Sequence, residues 1–327
     1  TGGIVSSIET TSEDLGGNDA VFTTGFRDLI LGGAGGDKID AGGGDNVVFG
    51  DGGRMVFDAT GAMTQLVSEI PTAGGDDKIT TFGGNDFIVG GIGLDTIDAG
   101  EGFNAILGDD GGMLFAANAL RTILSTDVGS GGSDTITAGN GGNVIIGGVG
   151  GDTINAGSGA NDILGDVGGA AYDALGFAVL IKTTTTEIGG NDTITTSSGD
   201  DRIIGGMGGD IIDAGDGTNA VFGDDGEFDF ASGGVLTVML SLNPKLGGND
   251  TITTGLGQDY VIAGLGSDTV DAGQGNNYLI GDNGTFTQTG GALTRVEATL
   301  TDTGGADVLT GGNTFNPVYG VSGNPFA

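Results

Sequence analysis

Short apolar runs alternate with glycine-rich turns along most of the chain. Runs such as Thr251-Ile252-Thr253 and Thr269-Val270-Asp271 are only a few residues long and rich in β-branched side chains. They are too short for helices and favour strands. The turns between them carry acids nine residues apart, at Asp250, Asp259 and Asp268. A short strand and a short turn, repeated, predict a parallel β-solenoid in which two nine-residue steps complete one turn.

The alternation within each run predicts which side chains are buried. Successive side chains of a strand point to opposite faces, so the middle apolar residue should point into the solenoid and stack on its copy in the next turn. The predicted inward column is Ile79, Ile97, Ile136, Ile154, Ile194 and Ile252.

A longer period is superimposed on the nine-residue step. The turn Gly-Gly-x-Asp returns every 57 or 58 residues, and a fixed period of this length makes the chain a linear array of similar units. We expect the chain to be part of a longer array. The predicted units are the second half of a preceding module at 1–15, modules at 16–73, 74–130, 131–188, 189–246 and 247–303, and a partial module with a terminating segment at 304–327.

Roughly twenty residues of each module fall outside the nine-residue step. They have a strand-turn-strand pattern, for example Phe228-Asp229-Phe230 followed by a small-residue turn and the alternating run Leu236–Leu242. Because three turns of eighteen residues nearly fill the period, we predict an all-β parallel β-roll with 57–58-residue modules. Each module would make about three turns, the third with lengthened strands. The alternative is two turns plus a protruding β-hairpin.

The fourth nine-residue step of each module carries asparagine, at Asn46, Asn104, Asn161, Asn219 and Asn277. If this turn stacked beside the plain turn of the lengthened strands, a carboxylate there would lack a cation on one side. A neutral amide would avoid the repulsion. A simpler interpretation is that asparagine suits a left-handed turn position.

The net charge sharpens this picture. Asp and Glu number 44 against nine Lys and Arg, which gives a formal charge of −35. A compact chain with so much like charge repels itself unless cations neutralise it. Disorder fits poorly, because 37% of the residues are hydrophobic and regularly placed. The few scattered cations form no phosphate-binding patch, so we expect no nucleic-acid partner, and no apolar run is long enough for a membrane span.

The turns have the chemistry of a calcium site. A Gly-Gly-x-Gly-x-Asp turn brings a carboxylate and several backbone carbonyls together, and Ca²⁺ takes six or more oxygen ligands in flexible geometry. Zinc prefers His or Cys, which the chain lacks. Stacked turns eighteen residues apart would share ions, as in the pair Asp77 and Asp95. The predicted ligands are Asp19, Asp28, Asp37, Asp51, Asp77, Asp86, Asp95, Asp109, Asp134, Asp152, Asp166, Asp192, Asp201, Asp210, Asp224, Asp250, Asp259, Asp268, Asp282 and Asp307.

The motif resembles the RTX family of hemolysin-type calcium-binding nonapeptide repeats. The matching stretches begin at Gly32, Gly90, Gly147 and Gly205 and read Gly-Gly-x-Gly-x-Asp. The resemblance implies secretion of an unfolded chain by a type I system and calcium-triggered folding outside the cell. It also implies a range of parent proteins, among them surface-layer proteins and adhesins.

We therefore expect a secreted, calcium-rigidified structural repeat protein of a surface layer, fibre or adhesin stalk, which self-associates. The apolar residues of the long strands, such as Phe115 and Phe228, would form an assembly ridge or simply fill the core. The alternative is a glycan- or ice-binding module with a flat threonine face. An enzyme is not expected, since the chain has neither His nor Cys and no G-x-S-x-G motif.

Overall fold

The computed structural model describes residues 4–11, 15–68, 74–126, 129, 131–184, 188–299, 304–312 and 318–319. These residues form strands and turns and contain no helix, so none of them belongs to a helix that could cross a membrane. Three sheets of eleven strands each run the length of the molecule, and two shorter strands, Leu256–Gly257 and Gln274–Gly275, pair in a turn.

The outer sheet is parallel and has one face open to solvent. Its strands are Ala20–Phe22, Lys38–Asp40, Lys78–Thr80, Thr96–Asp98, Thr135–Ala138, Thr153–Ala156, Thr193–Thr195, Ile211–Asp213, Thr251–Thr253, Thr269–Asp271 and Val308–Thr310.

The central sheet is also parallel, and its strands are buried on both faces in the middle of the molecule. They are Leu29–Leu31, Val47–Phe49, Phe87–Val89, Ala105–Leu107, Val144–Gly148, Asp162–Asp166, Arg202–Ile204, Ala220–Phe222, Tyr260–Ile262, Tyr278–Ile280 and Val318–Tyr319.

The hairpin sheet is antiparallel throughout. Its strands are Ser7–Glu9, Gly53–Phe57, Met63–Ser68, Gly111–Ala116, Ala119–Ser125, Gly168–Tyr172, Ala178–Thr183, Gly226–Ala231, Val235–Ser241, Gly284–Thr289 and Ala292–Ala298.

The all-β parallel β-roll is confirmed, and the alternative arrangement of the module is the one found. Each module makes two turns of roll and then a hairpin, so the three-turn arrangement is wrong. The outer strand Lys38–Asp40 pairs directly with Lys78–Thr80, and no hairpin strand comes between them. The strands Gly53–Phe57 and Met63–Ser68 reverse the chain and pair antiparallel to each other. The close match of the period to three turns is a coincidence of lengths.

The hairpins do not protrude singly, because each pairs with the next. Gly111–Ala116, the first strand of one hairpin, pairs with Met63–Ser68, the second strand of the hairpin before it. Each module adds two strands to every sheet, a rise of roughly 10 Å at the usual strand spacing. The equal rise lets all three sheets grow in step.

Two hydrophobic cores hold the layers together. The inward isoleucine column from Ile79 to Ile252 is buried as predicted, and it packs against the central-sheet column that includes Ile88 and Ile106. The other face of the central sheet packs on the hairpins, where Phe115 and Phe228 are buried. These two side chains therefore fill the core and form no exposed ridge.

The module boundaries remain predictions, but parts of them can be placed. Ser7–Glu9 pairs with Gly53–Phe57, where the second strand of a preceding hairpin would lie. Val308–Thr310 and Val318–Tyr319 continue the outer and central sheets into the predicted terminating segment. Residues 1–3, 12–14, 313–317 and 320–327 of these two end segments lie outside the described residues.

Candidate metal centre

Turns at one border of the roll carry an unbroken ladder of aspartates, which we call the aspartate edge. Its members are Asp19, Asp37, Asp77, Asp95, Asp134, Asp152, Asp192, Asp210, Asp250, Asp268 and Asp307. The Asp77 N–H donates to Asp95 Oδ1 at 2.8 Å, and the Asp95 N–H donates to Asp134 Oδ1 at 2.8 Å. The predicted eighteen-residue pairs are therefore neighbours, and the ladder also continues from one module to the next.

The second oxygen of these carboxylates has no hydrogen-bond partner. The atoms are Oδ2 of Asp37, Asp77, Asp95, Asp134, Asp152, Asp192, Asp210, Asp250, Asp268 and Asp307, all buried. A buried carboxylate oxygen without a partner is costly. Its repetition from Asp37 to Asp307 is what a row of cation sites would require.

Glycine leaves room around all of these oxygens except that of Asp268, where Ala263 stands at the equivalent position. A Cβ placed on Gly90 would lie 2.4 Å from Asp95 Oδ2 and 2.2 Å from the Gly108 carbonyl oxygen. A Cβ on Gly108 would lie 2.3 Å from Asp134 Oδ2. Only a residue without a side chain leaves these oxygens open to a ligand.

The donor set fits calcium. It consists of carboxylate and carbonyl oxygens, which hard cations prefer, and it lacks the His and Cys that zinc favours. Among the described residues, no group of three or more acidic side chains is arranged to hold a metal ion. A bound ion would thus take carboxylate oxygens from two stacked turns of the ladder together with backbone carbonyl oxygens of those turns.

Burial strongly disfavours charge on the aspartate edge in the absence of cations. Desolvation, with neighbouring carboxylates adding to it, raises the pKa of Asp134 to about 10 and that of Asp152 to about 9. Desolvation is likewise the largest cause that raises the pKa of Asp77 to about 8 and of Asp95 to about 7. The edge therefore needs either protons or cations to fold compactly.

A second set of aspartates closes the turns that the hairpins interrupt. Gly165-Asp166 and Gly189-Gly190-Asn191-Asp192 are the two halves of one Gly-Gly-x-Gly-x-Asp-like turn, separated by a hairpin. Asp166 Oδ1 accepts the Gly190 N–H at 3.0 Å, and its Oδ2 accepts the Met207 N–H. We call Asp166 and its equivalents in the other modules the clamp aspartates; the equivalents are Asp51, Asp109, Asp224 and Asp282. Asp109 and Asp224 make the same pair of bonds.

The opposite border, which we call the asparagine edge, is chemically different. Its ladder is Asp28, Asn46, Asp86, Asn104, Asn143, Asn161, Asp201, Asn219, Asp259 and Asn277. Asn143 donates its amide to the Gly139 and Gly141 carbonyls at 3.1 and 3.2 Å. Asn161 does the same to Gly157 and Gly159. The amide protons thus occupy carbonyls that could otherwise face a cation.

The explanation of these asparagines by an adjoining plain turn is wrong. Asn46 lies between Asp28 and Asp86, bonded to both, and the hairpin leaves the roll from the other edge. The prediction failed because the inserted residues form a hairpin in a separate sheet and add no turn to the roll, so no plain turn lies beside the asparagines.

On the asparagine edge, the residue type five positions before each ladder residue correlates with whether that ladder residue is aspartate or asparagine. Threonine precedes every aspartate of the asparagine edge, and alanine precedes every asparagine, including the irregular Asn143. Thr254 donates its hydroxyl to Asp259 Oδ2 at 2.8 Å, whereas the residue that corresponds to Thr254 before Asn277 is Ala272, which has no hydroxyl. These threonines were not predicted as part of the site, although their pairing is visible in the sequence.

The fold and the donor set together define a β-roll of the calcium-binding type. A sequence model of the RTX calcium-binding nonapeptide repeat matches residues 22–54, 72–97, 128–168, 188–226 and 246–279, more than half of the chain. The chain belongs to this family of RTX repeat proteins. A search of curated protein sequences finds no match.

Proposed function

We propose that this chain is an extracellular structural repeat protein, rigidified by calcium between stacked turns. It would form part of a surface layer, fibre or adhesin stalk. The observation that supports this most directly is the aspartate ladder with its buried, partnerless Oδ2 atoms. A ladder that continues through every described module would stiffen the whole array and not only one local site.

We assign the calcium ions to the aspartate edge, with the clamp aspartates beside them. Desolvation by burial, with repulsion from Asp77 and Asp95 added to it, raises the pKa of Asp51 to about 9, so the clamp carboxylate shares their surroundings. The predicted ligands Asp28, Asp86, Asp201 and Asp259 stay a prediction. Their neighbours on the ladder are amides, and Asp259 has a threonine donor on Oδ2, although the Oδ2 atoms of Asp28, Asp86 and Asp201 also lack a hydrogen-bond partner.

Secretion and self-association are part of the same proposal. RTX repeat proteins are typically secreted by type I systems, and their repeats are typically structural and not catalytic. A chain with a formal charge of −35 would stay extended until it meets millimolar extracellular calcium. Each module adds two strands to each of three continuous sheets, an arrangement that further modules could extend.

Electron microscopy with a calcium titration tests this function. We expect the chain to form regular fibres or sheets in calcium and to lose them in chelator. Calcium-saturated protein that stays monomeric at all concentrations would contradict the structural role, though not calcium binding itself.

The outer sheet supports a second candidate, a glycan- or ice-binding face. Its solvent side carries stacked threonines on neighbouring strands, such as Thr135, Thr153 and Thr193. Ala138, at the end of one of these strands, is buried and does not interrupt the face. Lys78 is exposed on the face and does interrupt it. Thermal hysteresis or ice-affinity partitioning, compared between wild type and Thr153→Lys, would test this candidate.

A further inference from the structure

A groove runs along the molecule between the asparagine edge and the tips of the hairpins. Three cavities of about 450, 330 and 330 Å³ share lining residues along it. Phe103 and Tyr172 line both the 450 Å³ cavity and the middle cavity, and Asp200 and Arg202 line both the middle cavity and the third. The shared walls place the three cavities next to one another along the groove.

A buried ion pair lies in the middle of this groove, where the surrounding column is uncharged. Along the central sheet the residues facing the hairpins include Val144, Asp162, Arg202 and Ala220 on consecutive strands. Asp162 is only 3% exposed and accepts a hydrogen bond from Arg202 Nε. Uncharged residues suffice at this position on the other described strands. Burying an ion pair gains little stability over apolar packing, so the fold does not require it.

The pair is held in a fixed orientation. Tyr172 donates its hydroxyl to Asp162 Oδ2 at 2.7 Å, so both oxygens of the carboxylate are engaged. The Arg202 guanidinium lies 5.2 Å from the centre of the Phe230 ring. Its terminal nitrogens donate no hydrogen bond to any described residue, and Arg202 lines two of the cavities. A rigid, planar donor therefore faces the groove between aromatic walls.

We propose that this groove binds a glycan chain, with a neutral sugar unit seated at the Asp162–Arg202 pair. Partly exposed rings of Phe103, Tyr172 and Phe177 supply flat apolar walls against which a sugar face can pack. The guanidinium supplies paired donors for neighbouring hydroxyls.

Charge favours a neutral sugar over an acidic one. Asp162 already balances the charge of Arg202, and Asp200 lines the same cavity. The formal charge of the whole chain is −35. A polyanionic chain would be repelled along its length, whereas a neutral chain needs only hydroxyl and ring contacts.

The groove is separate from the proposed calcium sites, which lie on the opposite border. Loss of calcium would remove the fold, whereas loss of the ion pair should remove only the sugar site. The test therefore uses the full chain saturated with calcium, and circular dichroism monitors its fold throughout.

Calorimetry with cellohexaose, mannohexaose and xylohexaose tests the site, with polygalacturonate as the acidic probe. We expect at least one neutral oligosaccharide to bind and the acidic polymer not to bind. The double variant Asp162→Val with Arg202→Ala copies the neighbouring residues Val144 and Ala220. It should keep the fold and lose at least tenfold in affinity.

The control Lys245→Ala removes one cation away from the groove and should bind as wild type does. Failure of all three neutral probes would overturn the proposal. So would equal binding by the folded double variant, which would show that the pair only organises packing. Binding of the acidic polymer alone would also overturn it.

Discussion

The Asp37 N–H donates to Asp77 Oδ1 at 2.6 Å, although the two residues are 40 positions apart in sequence. The Asp19 N–H makes the same bond to Asp37, only eighteen positions away. The difference of 22 residues is the length of the insert that carries the hairpin. The insertion leaves the ladder intact because each clamp aspartate closes the gap that it opens.

Calcium removal should unfold the chain. Without cations the aspartate edge holds stacked, buried carboxylates whose repulsion exceeds what marginal folding stability can absorb. We expect circular dichroism to show a largely disordered chain in chelator and β-structure after calcium is added, with magnesium as a weak substitute. A chain fully folded in chelator at neutral pH would refute the calcium proposal.

The two edges should respond differently to the same substitution. Asp95→Asn removes a charge from the aspartate edge and should raise the calcium concentration at the folding midpoint about tenfold, or ~1.4 kcal/mol. Asp86→Asn combined with Thr81→Ala copies the neighbouring pair Ala99 and Asn104, and should change the midpoint little.

Calcium titrations followed by circular dichroism measure both midpoints. Equal shifts in the two variants would mean that the asparagine edge also takes calcium, and would restore the prediction for Asp86.

Stability without calcium should decrease as pH rises. Desolvation by burial raises the folded-state pKa of Asp77 to about 8 and that of Asp134 to about 10, above the ordinary aspartate value of 3.8. The protonated fold is therefore favoured below about pH 4, and this contribution is lost as pH rises through the folded-state values. In chelator we expect more β-structure at pH 4 than at pH 8.

Calcium should reverse this dependence, because binding requires the carboxylates to lose their protons. A calcium-loaded chain that is more stable at pH 4 than at pH 8 would contradict the assignment. Proton release on calcium addition at pH 7 provides a direct check.

Loss of a clamp should loosen one hairpin junction. Asp166→Ala removes the acceptors for the Gly190 and Met207 N–H groups. We expect it to lower the free energy of unfolding by about 2–4 kcal/mol, because hydrogen bonds to charged groups contribute more than those between neutral groups. Asp58→Ala is the control, because the Asp58 carboxylate accepts hydrogen bonds from Thr60 and Ala62 in an exposed hairpin tip.

Thermal unfolding in saturating calcium and amide exchange report the effect. Faster exchange at Gly190 and Met207 in the Asp166 variant is expected. Unchanged exchange at both amides would show that the clamp does not hold the junction.

One natural exchange of glycine for alanine offers a matched pair of variants. Gly205 leaves room beside Asp210 Oδ2, where a Cβ would lie only 2.4 Å away, whereas the corresponding residue of the next module is Ala263. Gly205→Ala should lower calcium affinity several-fold, and Ala263→Gly should raise it. Calcium calorimetry measures both, and shifts of the same sign would contradict a role for this space in ion binding.

The sequence by itself determined the repeat, the strands and the aspartate ladder. A nine-residue step with β-branched runs leaves few folds other than a roll, and Ile154 could be assigned to the core because strand alternation is a local property. The carboxylate pairs followed because residues eighteen apart must stack once the roll is given.

Tertiary structure decided where the remaining twenty or so residues of each module go. A strand-turn-strand pattern specifies strands but not their partners, and hairpin pairing across modules joins residues such as Met113 and Leu66 through contacts distant in sequence. Parallel pairing in the central sheet brought Asp162 beside Arg202, 40 residues later, and the hairpin brought the Tyr172 hydroxyl onto Asp162. Local pattern sets strand and turn, whereas register between modules depends on how three sheets with equal rise pack together.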